Sequence, residues 1–123
     1  SNTALNRDVI AGRSYSIKLV LFMADSVAAD GVKVDFEGGT ATATDFRMHC
    51  CLFDTALLLS TQTTALATDI TQSTVTGDSL MECYGSFEVN AAGTFIVRAA
   101  QNAHTTGTLT VYRGSHIWLE DMP

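Results

Sequence analysis

The sequence predicts an all-β domain, an antiparallel β-sandwich of jelly-roll type. Apolar residues alternate with polar ones through most of Ser14 to Glu120, the period of a half-buried strand rather than of a helix. Turn-forming residues recur at Asp30-Gly31, Gly38-Gly39, Asn90-Ala-Ala-Gly93, Asn102 to Gly107 and Gly114-Ser115, the rhythm expected of short antiparallel strands. The one proline is Pro123, which leaves every internal strand free to pair on both edges.

Each element follows from its residues. Ser1 to Arg13 is polar, with Leu5, Val9 and Ile10 as its regular apolar positions; it reads as an extended N-terminal arm that reaches a neighbouring molecule, ahead of a single domain over 14–123. Ser14 to Met23 points Tyr15, Ile17, Leu19, Leu21 and Met23 to one face, while Val20 and Phe22 make the other face apolar too. A strand apolar on both sides is covered on both sides, and here a second subunit is expected to supply the second cover. Val32 to Phe36 turns Val32, Val34 and Phe36 inward, and Glu37-Gly38-Gly39 predicts a hairpin into Thr40 to Thr44. Asp45 to Asp54 alternates cleanly, with Phe46, Met48, Cys50 and Leu52 on one side and Asp45, Arg47, His49 and Cys51 on the other. Thr55 to Asp78 is rich in Thr, Ser and Ala without strict alternation and reads as a long crossover between sheets, with Ala56 to Leu59 a short strand or a helical turn. Ser79 to Val89 turns Met81, Cys83, Phe87 and Val89 inward, Thr94 to Gln101 pairs back across the following turn, and Thr108 to Arg113 and His116 to Asp121 complete the set.

Composition narrows the function. The net charge is −6, with 7 Lys and Arg, and the arginines are scattered, which argues against a nucleic-acid partner. The longest apolar-rich run, Ile17 to Ala24, contains Lys18 and falls far short of the roughly 20 residues of a membrane-spanning helix; no secretory leader pattern is expected at the start. His49, His104 and His116 are the histidines, and none stands in a nucleophile motif, a zinc-ligand spacing or a phosphate-binding loop, so no enzyme, metal or cofactor is expected.

Of the three cysteines, adjacent Cys50 and Cys51 point to opposite faces of an extended strand. Cys50 and Cys83 read as buried thiols packing like small apolar residues. Cys51 faces outward and is the candidate for a disulfide to another subunit. Tyr84, Tyr112 and Trp118 lie opposite the most apolar register, and with Val20 and Phe22 they form the expected interface between subunits.

The run Gly107-Thr-Leu-Thr-Val-Tyr-Arg-Gly-Ser-His-Ile-Trp-Leu-Glu-Asp-Met122 resembles the ends of small virion proteins of tailed bacteriophages. Phe53-Asp-Thr-Ala-Leu-Leu-Leu-Ser-Thr-Gln62, Ala65-Leu-Ala-Thr-Asp69 and Val89-Asn-Ala-Ala-Gly-Thr-Phe95 are similar to the same group. The likeness implies a jelly-roll-like sandwich that forms a homotrimer on the capsid surface of a virion. It further implies a decoration, or cement, protein made in the host cytoplasm and bound to the major capsid protein. The adjacent cysteines depart from that pattern. The alternative is a tail-fibre or receptor-binding head that contacts a host-surface glycan, and a hydrolase on the same fold stands third.

Overall fold

The computed structural model describes residues 3–103 and 107–122. It contains ten strands: β1 (Thr3–Val9), β2 (Ser14–Asp25), β3 (Val32–Glu37), β4 (Thr42–Phe53), β5 (Leu57–Thr63), β6 (Ile70–Gln72), β7 (Asp78–Ala91), β8 (Gly93–Ala100), β9 (Leu109–Val111) and β10 (His116–Met122). A single 3-10 turn at Ala28–Asp30 is the one helical element among the described residues. The strands form two antiparallel sheets, one in the order β1-β8-β3-β6 and the other β10-β2-β7-β4-β5, with β9 continuing the β10 side of β2.

The first eight strands pair first with last and so inward: β1 with β8, β2 with β7, β3 with β6, β4 with β5. That is one long hairpin rolled into two sheets, the jelly-roll topology. The fold class expected from alternation and turn spacing is therefore the one observed.

The inward positions behave as the alternation requires. Leu19, Met23, Met48, Cys50 and Cys83 have no exposed surface, and Val34, Phe36, Leu52, Met81, Val89 and Phe95 are buried with them. At the centre Phe36 and Phe95 of one sheet meet Phe46 and Phe87 of the other in a closed ring, with centroids 5.1 Å (Phe87 to Phe95), 5.6 Å (Phe46 to Phe87), 6.0 Å (Phe36 to Phe95) and 6.1 Å (Phe36 to Phe46) apart. These separations suit offset or tilted aromatic packing, and the ring ties the sheets together.

The structure corrects several expectations. Residues 32–37 and 42–53 make no hairpin, because β3 and β4 belong to opposite sheets and the glycines at 38 and 39 carry the chain between them. β7 and β8 likewise leave their turn into different sheets. Residues 40–44 and 45–54 do not form two strands; Thr42–Phe53 is one strand, bulged where Asp45 takes a φ of 51°. The extra residue explains why the alternation restarts there. The expected crossover contains two strands, β5 and β6. A register shift opposite Leu52 and Phe53 hides the period of β5.

The N-terminal segment lies along its own chain. β1 runs beside β8 from Thr3 opposite Ala99 to Val9 opposite Gly93, and Val9 is buried. Each backbone group that β8 satisfies removes a reason for that strand to seek another molecule. Nor are Cys50 and Cys83 separate thiols: they sit directly opposite on β4 and β7 with α-carbons 4.2 Å apart and are joined in a disulfide. The reading of both side chains as inward holds, and inward side chains at facing positions of neighbouring strands are the ones that meet.

Candidate functional site

The strand registers assemble the outer face of the larger sheet into rows. One row crosses all five strands as Trp118, Lys18, Tyr84, His49 and Gln62. The next is His116, Val20, Glu82, Cys51 and Ser60, and beyond it lies an apolar row of Phe22, Leu80, Phe53 and Leu57. Trp118 is 63% exposed, Leu57 56% and Tyr84 51%, and Phe22 is also exposed. Tyr112 joins this face beyond Phe22: its N–H donates to the Phe22 carbonyl and its hydroxyl donates to Asp78 Oδ1 at 3.3 Å.

Val20, Phe22, Tyr84, Tyr112 and Trp118, expected from sequence to share a surface, thus lie on one face, although Val20 is already largely covered by its neighbours. The Lys18 ammonium stands 5.8 Å from the centre of the Tyr84 ring, near enough for a cation–π contact. Cys51 is on the same face and partly exposed, as expected, with no disulfide partner.

Cys51 also belongs to a polar group that the sequence did not reveal. Ser60 Oγ lies 3.1 Å from His49 Nε2 and accepts a weak bond from Cys51 Sγ at 3.7 Å. His49 and Cys51 are two apart on β4 and Ser60 is across from Cys51 on β5, so the group forms only once that register is set. A working nucleophile also needs its base oriented by a third group. Among the described residues no carboxylate bonds to His49, and no three metal-binding side chains converge. His116 is exposed, with Nδ1 2.8 Å from the Gly114 carbonyl. His104 lies outside the described residues.

The smaller sheet presents a different outer face. Arg98 on β8 donates to Asp35 through Nε at 3.0 Å and Nη2 at 2.6 Å, and to Glu37 at 2.6 Å. The Arg98 bond holds the Asp35 carboxyl below its ordinary pKa, against the opposing effect of burial. Burial and the neighbouring Asp35 push Glu37 up. On this side Thr94 Oγ1 also donates to Asp8 Oδ1 at 3.0 Å.

Two polar ties, one buried and one exposed, hold the loops that frame the sheets. Gln101 Nε2 donates to Asp25 Oδ1 and Asp30 Oδ2, each at 3.0 Å, linking the β2–β3 and β8–β9 connections. Asp54 Oδ1 accepts from Ala56 N–H and its Oδ2 from Thr76 N–H, which fixes the β4–β5 turn against the β6–β7 loop. Those bonds hold the Asp54 carboxyl below its ordinary range. No family model matches the chain, and neither a curated protein nor a solved structure is significantly similar to it.

Proposed function

We propose that this domain is a capsid decoration protein of a tailed bacteriophage, working as a homotrimer that binds the major capsid protein and has no catalytic role. The observation that carries the reading is the contrast between its two outer faces. One bears the apolar row Phe22, Leu80, Phe53 and Leu57 beside exposed Tyr84 and Trp118; the other bears the matched ions Asp35, Glu37 and Arg98. Contiguous apolar surface on a soluble domain marks a contact surface, whereas paired charges are content in water. The jelly-roll topology and the phage-like runs of sequence support the same reading. Sedimentation at micromolar concentration should give three chains or a multiple of three, and Phe22→Glu should abolish that threefold association while circular dichroism stays native. A stable monomer would reject self-association, and imaged particles without density for this chain would reject the location.

A second reading, glycan binding, draws on the Trp118–Lys18–Tyr84 row. Two exposed rings two strands apart stand about 10 Å from each other on a flat sheet, an arrangement on which sugar rings can stack. The readings compete for one face: glycan-array binding lost in Trp118→Ala, together with a monomeric protein, would favour the second.

A further inference from the structure

We propose that β5 is an open docking edge which pairs antiparallel with β5 of a second copy, joining two larger sheets into one across a two-fold axis. The argument begins with which backbone groups face outward. Cys50 and Cys83 oppose each other at an α-carbon separation of 4.2 Å, the close spacing of a pair that exchanges no backbone hydrogen bonds. Cys50 therefore aims its N–H and C=O at β5, and Thr61 opposite it aims back. By alternation Ser60 and Gln62 point theirs away from the sheet. The same parity carried across β7 and β2 turns the Ile117 carbonyl outward on β10, where Arg7 Nη2 donates to it at 3.4 Å. That independent contact confirms the assignment. Among the described residues no backbone hydrogen bond reaches the outer side of β5.

The other edges are guarded in ways that β5 is not. β1 carries Arg7 and Asp8, β10 carries Glu120 and Asp121 under the Arg7 contact, and β6 and β9 are three residues each. Charges and short length are the usual means of keeping an edge from pairing. β5, Leu57-Leu-Leu-Ser-Thr-Gln-Thr63, has seven residues with neither charge nor proline. In a chain of net charge −6, two copies repel over most of their surfaces, and this edge lets them approach without opposing carboxylates.

The occupant follows from symmetry. Ser60 is the middle residue of Leu57–Thr63 and has an outward backbone, so a two-fold axis beside it sets Ser60 against the partner's Ser60. Both backbone bonds are then exchanged, and Gln62 falls opposite the partner's Leu58. An isologous contact needs such self-complementarity, and the open edge supplies the main-chain bonds of strand addition. The pairing joins single chains or whole trimers alike, so it does not depend on the trimer reading.

The test places charge at the axis, where like charges directly opposite destabilise a strand pair. Ser60→Glu and Ser60→Lys are each expected to halve the mass measured by sedimentation, and mixing the two should restore it. Gln62→Pro, which removes an outward N–H, should also halve it. Circular dichroism should remain native because these positions are exposed. The proposal is overturned if the wild-type mass is one or three chains, if either charged variant alone keeps the wild-type mass, or if the mixture fails to recover it. Loss of the trimer reading appears separately, as Phe22→Glu leaving the mass unchanged.

Discussion

Breaking the Cys50–Cys83 bond should cost this domain a large share of its stability. The two residues are 33 apart in sequence, and a cross-link closing a loop of that length is worth about 3.7 kcal/mol at 25 °C in the chain-entropy description. For a domain of this size that corresponds to a fall in Tm of roughly 10–20 °C. Both sulfurs are fully buried, so a mild reductant should leave the native protein intact and act once it opens. The assay is urea unfolding of Cys51→Ser protein, oxidised and reduced. The reduced form should show a lower midpoint and a larger m-value, because an unlinked chain exposes more surface on unfolding. The reasoning fails if the unfolded, unreduced wild type titrates as three thiols instead of one. It also fails if reduction lowers stability by less than about 1 kcal/mol, the outcome expected of thiols that merely pack.

Two further predictions concern the ladder and the charged face. Gly85→Ala should destabilise by about 3 kcal/mol or more: the new Cβ would fall on the Arg47 carbonyl oxygen and 2.9 Å from Met48 Cα, so β4 and β7 must separate, which thermal unfolding will register. Arg98→Ala should change stability little near neutral pH because Arg98 is exposed to solvent screening, and it should flatten the acid limb of the stability profile. The folded-state pKa of Asp35 lies below its unfolded value, so its contribution is complete above the unfolded value of about 3.9 and is lost as pH falls through the folded one. Glu37, raised by burial and Asp35, acts in the opposite sense, since its protonation relieves the fold as pH falls. Urea midpoints collected between about pH 6 and pH 2 should therefore drop more steeply for wild type than for the variant; equal slopes would reject the assignment.

The candidate face was largely legible in the sequence because it depends on parity alone. Val20, Phe22, Tyr84 and Trp118 each sit out of phase with an inward run, and strand geometry sends such residues to the opposite side whatever the partner strand. Ser60 was not legible, since its meeting with His49 and Cys51 depends on the β4–β5 register. β5 itself was obscured by a run of three leucines and by the bulge beside it. The turn residues at 38–39 and 90–93 correctly marked where strands end. They misled about which sheet the next strand joins, because a tight turn can return the chain to the same sheet or send it to the facing one.

By itself the sequence determined that the chain is all β, where most strands run and which side chains point inward, since a two-residue period is a local property of each strand. Only the tertiary structure decided which strands pair. Backbone donors and acceptors are alike in every strand, and the choice of partner is set by how all the inward faces can be buried together. That choice brings Cys50 to Cys83, closes the phenylalanine ring between the sheets, lays the N-terminal segment along β8 and leaves β5 at an open edge.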